Sequence, residues 1–232
     1  MFRSSCAINR ESVYGVRCST EVKPKGTSFS TGSGFTIAPG MVITAGHLVH
    51  MVNNANGPVH KAFDVIRSPD IGQQLERARL IAEDPMNDIA LLMIDAPRSN
   101  KFLTLEPNKV QTGSSCGSLG FPLCGMVQDP SDPKRSAFSL VERFQGSHIS
   151  SFQKYKSPKG FVVDHYEVDS LMYEGSSGCP GFLTDTKVVG MQSQSLMDAK
   201  TTKKGNANRI AISIWVPSTV IIEFARKNGI LV

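Results

Sequence analysis

Leu171-Met172-Tyr173-Glu174-Gly175-Ser176-Ser177-Gly178-Cys179-Pro180-Gly181 is the stretch on which the reading of this chain turns. A serine set between glycines, followed by proline and an apolar run, suits a plain turn poorly. Gly175 and Gly178 permit left-handed or crowded backbone that a side chain would forbid. Such a backbone can expose one hydroxyl while neighbouring N–H groups point the same way. Acyl transfer needs that combination: a nucleophile, and donors for the oxyanion that forms when it attacks.

Two upstream stretches give the serine company. Residues 34–47, Gly-Phe-Thr-Ile-Ala-Pro-Gly-Met-Val-Ile-Thr-Ala-Gly-His, read as strand, tight turn, strand, then a histidine after Thr-Ala-Gly. Residues 84–94, Asp-Pro-Met-Asn-Asp-Ile-Ala-Leu-Leu-Met-Ile, read as a loop delivering an aspartate into a buried apolar strand. The order along the chain is His47, Asp88, Ser177.

Thr-Ala-Gly-His, Asn-Asp-Ile-Ala-Leu-Leu and Gly-Ser-Ser-Gly-Cys-Pro, in that order, resemble the three catalytic motifs of the trypsin/chymotrypsin family of serine proteases. Within the family the chain looks most similar to the bacterial high-temperature-requirement and glutamyl-endopeptidase branches. The likeness runs roughly from Gly32 to Pro217. It implies an all-β fold of two packed six-stranded antiparallel barrels with a C-terminal helix. Residues 1–110 would form the barrel carrying His47 and Asp88, and residues 111–232 the barrel carrying Ser177 and the helix. It also implies a serine endopeptidase working through an acyl-enzyme. Ser177 is then the nucleophile, His47 the general base and acid, Asp88 its orienter, and the backbone N–H groups of Gly175 and Ser177 the oxyanion donors. The expected partner is a protein or peptide substrate, with no cofactor or metal. A regulatory protein partner stays open. The alternatives are a protease-like peptide-binding module without turnover, or a protease held inactive until a partner switches it on.

Each assignment has a rival. Ser176 adjoins Ser177, and the Gly-x-Ser-Gly pattern chooses Ser177. Cys179 stands two residues further on and reads as a small packed thiol. Asp84 competes with Asp88, but the apolar strand begins immediately after Asp88. His47 and His50 could share a helical face as metal ligands, yet no third ligand stands at a recognisable spacing. His60, His148 and His165 have no comparable context. Trypsin-type zymogens pair a freed N-terminus with an aspartate before the nucleophile. Here that position is Ser176, so no activating N-terminal cleavage is expected.

The family's pocket for the residue on the acyl side of the cut bond would be walled by Leu171, Met172 and Tyr173 and by Ser193, Gln194 and Ser195. Leu171 replaces the aspartate of trypsin-like enzymes, and an apolar floor leaves Lys or Arg without a counter-charge. Gln192 replaces the histidine of glutamyl endopeptidases. Cleavage after uncharged, small-to-medium apolar residues is therefore expected.

Composition sets the outer bounds. The 232 residues, 40% of them hydrophobic, suffice for one sizeable unit and leave little room for a fused peptide-binding domain after Val232. No apolar run is long enough to span a bilayer. Residues 1–10 carry no apolar leader, and five cysteines make no paired framework. Both suggest a reducing cytosol. The net charge of +5 is mild. The basic runs at 154–159 and 200–204 read as solvated loops, and nucleic acid is not an expected partner.

Between the motifs, strands are expected at 13–18, 63–66, 78–82, 89–95, 161–168, 187–195 and 209–215, with 139–144 and 146–150 as a pair. Residues 73–78 could pass for a helical turn. Residues 97–111 read as the inter-barrel connection, 123–137 and 198–208 as loops, and Pro217-Ser218 as the start of a helix ending near Gly229.

Overall fold

Six strands close the first barrel: β1 (Val13–Val22), β2 (Gly26–Ala38), β3 (Met41–Ala45), β4 (Ala62–Arg67), β5 (Leu75–Asp84) and β6 (Ile89–Ile94). They join in the cyclic order β1-β2-β3-β6-β5-β4, every neighbour antiparallel. The chain is seen in a computed structural model that describes residues 2–22, 26–51, 57–69, 72, 74–129, 132–156, 160, 162–197 and 209–232. Its second half supplies β7 (Ser115–Gly120), β8 (Gly125–Asp129), β9 (Asp132–Ser139), β10 (Arg143–Lys156), β11 (Val162–Val168), β12 (Pro180–Phe182), β13 (Val188–Met197) and β14 (Arg209–Pro217). Six of these close a second barrel in the order β10-β11-β14-β13-β12-β7, while β8 and β9 form a separate two-stranded ribbon. The expected all-β double barrel is thus the fold.

Period-2 alternation explains how one apolar strand serves two cores. Along β6, Ala90, Leu92 and Ile94 fill the first barrel with Val16, Val42 and Val65. Ile89 and Leu91 face outward into a larger core shared with Leu119, Phe121, Phe182, Met191 and Val216 of the second half. That shared core is the seam between the barrels, which is why β6 is apolar on both faces. Cys116, Ile149, Tyr166, Val168, Val189 and Trp215 fill the second barrel.

Two helices brace the second barrel. In α2 (Ser218–Lys227) Ile221, Phe224 and Ala225 are buried, and Gly229, at φ +77°, ends the helix as expected. Helix α1 (Arg3–Asn9) precedes the first barrel in sequence yet docks on the second. Ser5 Oγ donates to Thr184 O at 2.9 Å and Asn9 Nδ2 to Thr186 O at 3.1 Å. The Phe2 ring lies 5.3 Å from Phe144 and 6.2 Å from Phe182. The connection shares this double allegiance: Leu103 N–H donates to Thr36 O, and Glu106 N–H to Val188 O. Residues at both ends of 1–110 therefore hold the two barrels together.

Three local expectations are corrected. Residues 123–137 contain the β8–β9 ribbon, paired from Gly125↔Ser139 to Asp129↔Asp132. Residues 139–144 and 146–150 do not pair with each other. Gly146, the first residue of the second expected strand, lies inside β10 opposite Gly117 of β7, and the Phe144 ring covers the space at Gly117. Residues 75–78 open β5 instead of a helical turn, because their alternating burial pairs them with β4. The 198–208 loop and Gln73 lie outside the described residues, as do 157–159 of the first basic run.

Candidate active site

β3 ends at Ala45 and turns directly into a short 3₁₀ segment, Gly46–Val49, which carries His47. The loop before β6 carries Asp88. Gly46 N–H donates to Asp88 O at 2.9 Å, and His47 N–H to Asp88 Oδ1 at 2.8 Å. These bonds hold Asp88 at φ +56°, a conformation that costs most side chains but suits aspartate better. Asp84 takes a different job from the one its rivalry implied. Its carboxylate accepts from the N–H groups of Met86 and Asn87 and from Asn87 Nδ2, which shapes the loop that presents Asp88.

The loop of Ser177, the candidate nucleophile, is strung between the barrels. Ser33 N–H of β2 donates to Ser177 O at 2.8 Å, and Gly178 N–H donates to Gln192 O of β13 at 2.8 Å. Gly175 and Gly178 have φ of +85° and +87°, and a Cβ on Gly178 would stand 1.9 Å from Ser33 O. Both glycines are therefore required by backbone angle and by close approach. Ser33 Oγ adds a second tie, donating to Gly175 O at 2.9 Å while accepting from Phe121 N–H. Sequence reading missed Ser33, because an interior strand serine carries no motif.

The result brings His47, Asp88 and Ser177 together across the seam. His47 Nε2 lies 3.0 Å from Ser177 Oγ, and His47 Nδ1 lies 2.9 and 3.1 Å from the two Asp88 oxygens. One tautomer satisfies every contact: Nδ1–H donates to Asp88 and Nε2 accepts from the serine hydroxyl. Burial pushes the imidazole pKa down, but the Asp88 charge and hydrogen bond outweigh it and hold His47 above the ordinary histidine value. Burial likewise raises the Asp88 carboxyl. The charge and hydrogen bonds of His47, with a bond from Ser193, overcome this and leave it below the usual carboxylate range.

Placed in the pocket wall by expectation, Ser193 is 4% exposed, and its hydroxyl donates to Asp88 Oδ2 at 2.5 Å. The hydroxyl therefore serves the aspartate rather than standing free for substrate. Ser195 is half-buried on the same strand, opposite Ser213 of β14. On the other wall Met172 is buried, Leu171 half-buried and Tyr173 exposed. Beside Leu171, Ser170 Oγ and Ser213 Oγ bond each other at 2.7 Å. Gln192 is buried beneath the nucleophile loop, its Nε2 donating to Ser118 Oγ.

Among the described residues, neither the Gly175 nor the Ser177 N–H donates to a protein acceptor, while the N–H groups of Ser176, Gly178 and Cys179 all do. Ser176 itself is 2% exposed, with its Oγ accepting from Tyr173 N–H. Burial pushes the Cys179 thiol up to about 12, so it carries almost no thiolate at neutral pH. No cluster of three metal-ligating side chains occurs among the described residues. His50 is committed to Glu83 and Gly57 O, His60 approaches Thr20 and Ser30, and exposed His148 pairs with Asp169. His165, on the face of β11 opposite Tyr166 and Val168, is buried 3.9 Å from Glu167.

Known proteins agree with this architecture. The family described as trypsin-like peptidase domain matches residues 32–191. A protein of Rickettsia prowazekii (strain Madrid E) named probable periplasmic serine endoprotease DegP-like is 26% identical over 215 residues, which is 90% of this chain and 36% of that protein. A protein of the same name from Brucella suis biovar 1 is 31% identical over 166 residues, 69% of this chain and 26% of that protein. The chain thus spans from about a quarter to little more than a third of these relatives. Among solved structures, the active form of the Rv3671c protease from M. tuberculosis superposes with a TM-score of 0.72 at 18% identity, covering 98% of this chain and 85% of that one. Its inactive form gives 0.70 at 16% identity, covering 97% and 93%.

The relatives correct one expectation. They are named periplasmic, which points to that compartment and away from the cytosol. The cysteine argument failed for a physical reason. Cys18, Cys116, Cys124 and Cys179 are free but buried, with thiol pKa values raised by desolvation, so the fold itself shields them from oxidation. The greater length of the relatives also removes any weight from where this chain starts and stops. With the family match running through both barrels and all three motifs, the chain belongs to the trypsin-like peptidase domain family, on the serine-protease branch of its DegP-like relatives.

Proposed function

We propose that this chain is a serine endopeptidase that cuts through an acyl-enzyme on Ser177. The observation that carries the reading is the unbroken relay from Ser177 Oγ through His47 to Asp88, with bonds of 3.0 and 2.9 Å. His47 Nε2 takes the hydroxyl proton as Ser177 Oγ forms its bond to the scissile carbonyl carbon. The oxyanion sits on the N–H groups of Gly175 and Ser177, both without protein acceptors among the described residues. Imidazolium then returns the proton to the leaving nitrogen as the C–N bond breaks, and a water repeats the cycle in reverse. Asp88 stays ionised throughout, in keeping with its lowered pKa, and Ser193 steadies it. A peptide-binding module without turnover would have no use for a base held in this tautomer, with Nδ1 on Asp88 and Nε2 on Ser177 Oγ.

The acyl-side residue is read as uncharged, apolar and small to medium in size. Leu171 and Met172 supply an apolar wall, and the Ser170–Ser213 hydroxyls satisfy each other. The nearby Asp169 carboxylate accepts from His148 N–H and faces its ring at 3.2 Å, so it is occupied. A fluorophosphonate probe tests the mechanism: stoichiometric labelling is expected, abolished in Ser177→Ala and strongly slowed in His47→Ala. Labelling that survives in Ser177→Ala overturns the assignment. A peptide library tests the pocket, where dominance of Arg, Lys or Glu on the acyl side would reject it.

A further inference from the structure

Leu123 lies beside the active site and is costly to the fold. It is not glycine, yet it is held at φ +61°. It is a large apolar residue, yet 57% exposed. Left-handed backbone at a leucine costs about 1–2 kcal/mol, and glycine would adopt it freely. Strain that the fold does not need is a marker of function when it sits beside chemistry.

Its surroundings put it there. Leu123 N–H donates to Glu174 O at 2.5 Å, and a Cβ on Gly175 would meet Leu123 N at 3.1 Å and Phe121 O at 2.6 Å. The Phe121–Cys124 turn is thus laid directly on the oxyanion residue. On its other flank Thr31 Oγ1 of β2 donates to Cys124 O at 3.2 Å. Phe29, Thr31 and Ser33 alternate onto one face of β2, and Phe29, 47% exposed, continues that face outward.

The side of the bond follows from how the nucleophile loop is strung. Ser177 has β13 on one flank, through Gly178 N–H to Gln192 O, and β2 on the other, through Ser33 N–H to Ser177 O. Of the expected acyl-side walls, Ser193–Ser195 lie on β13 itself, and Leu171–Tyr173 follow Ser170, which bonds Ser213 of β14, the strand paired with β13. The β2 flank, with Leu123 and Phe29, is left for the leaving amine.

We infer that Leu123 and Phe29 form an apolar lip for the first residue on the amine side of the cut bond, selecting polypeptides with a branched aliphatic or aromatic residue there. This rests on the endopeptidase reading above. The strained turn leaves the leucine side chain exposed beside the nucleophile loop, while its backbone braces Gly175.

The test compares two substrates sharing one acyl-side sequence: a peptide with Leu as first amine-side residue, and an arylamide with no amino acid there. In Leu123→Gly and Phe29→Ala the ratio of kcat/KM for peptide over arylamide should fall about tenfold, the size of a lost apolar contact in a specificity pocket. Replacing the peptide's Leu by Gly should cost the wild type a similar factor and the variants little. An unchanged ratio in both variants overturns the lip. An equal fall on both substrates also overturns it, because Leu123 would then only brace the oxyanion loop. A wild type that turns over neither substrate and resists the fluorophosphonate probe overturns the endopeptidase reading, and the lip with it.

Discussion

β6 of the first barrel is apolar from Ile89 to Ile94, whereas β7 of the second reads Ser115-Cys116-Gly117-Ser118-Leu119-Gly120. Both lie deep in the molecule, and both reach the seam. The first barrel fills its space with its own bulk, and the two residues proposed as base and orienter hang from that rigid frame. Asp88 leads straight into β6, and His47 follows two residues after Ala45, the last residue of β3 to pair with β6. The second barrel keeps its seam strands small and lets neighbours fill in: Phe144 over Gly117, and the Cys179 sulfur against Gly120. That room allows the nucleophile loop to approach β2 backbone to backbone. The comparison teaches that the proposed base and orienter are bonded to each other at the ends of rigidly packed strands, while the proposed nucleophile and oxyanion donors depend on hydrogen bonds and glycine geometry between the barrels.

Four measurements can break or sharpen that contrast. The largest effect should come from removing one member on each side. Ser177→Ala and His47→Ala should each lower amide hydrolysis by about 10⁴–10⁶, and the double variant should be no worse than either alone. Additive losses would mean that the two barrels act separately. Activity kept in Ser177→Ala but lost in Cys179→Ala would move the nucleophile to the thiol.

Next, Gly178→Ala drives a Cβ against Ser33 O, whereas Leu92→Ala opens a cavity inside the first barrel. Denaturant titration should show a loss of roughly 2–5 kcal/mol for the leucine and about 1–3 kcal/mol or more for the glycine. The fates of the site should differ: Gly178→Ala should abolish probe labelling, while Leu92→Ala should keep nearly full activity per folded molecule. Equal loss of activity would show that the first barrel also tunes its site by precise backbone placement.

Ser193 crosses the divide, as a second-barrel hydroxyl on a first-barrel carboxylate. A hydrogen bond to a charged group is worth about 1.5–3 kcal/mol. Ser193→Ala should therefore lower kcat about 10- to 100-fold with little change in KM. A change confined to KM would return Ser193 to the substrate wall.

The smallest effect is in pH. His47 acts as a base only when unprotonated, and its pKa lies above the ordinary ~6.5 of histidine because Asp88 favours the charged ring. Activity should therefore rise with pH along a limb centred above that value. In Asp88→Asn the raising charge is gone, and the residual activity should have its limb at lower pH. A limb that moves up, or stays, would show that the Asp88 charge does not set the His47 titration.

Much of this was legible in the chain itself. Thr-Ala-Gly-His, Asn-Asp-Ile-Ala-Leu-Leu and Gly-Ser-Ser-Gly-Cys-Pro name the three residues because short-range chemistry leaves short-range marks: glycine for impossible angles, an apolar run after a buried aspartate. Periodicity and turn residues likewise mark most strands and the C-terminal helix. What escaped depends on distant partners. Residues 146–150 look like the partner of 139–144 until β7 takes them up, with Gly117 opposite Gly146. Ser33 and Ser193 are ordinary strand serines until closure of the seam brings Gly175 O and Asp88 to them, from 142 and 105 residues away in sequence. The sequence by itself determined the fold class and the three catalytic candidates, since local backbone and side-chain demands specify both. Only the tertiary structure decided which serine faces Asp88, where α1 docks, and that Leu123 stands strained beside the oxyanion loop. Those outcomes are set by contacts across the seam, and no local pattern encodes them.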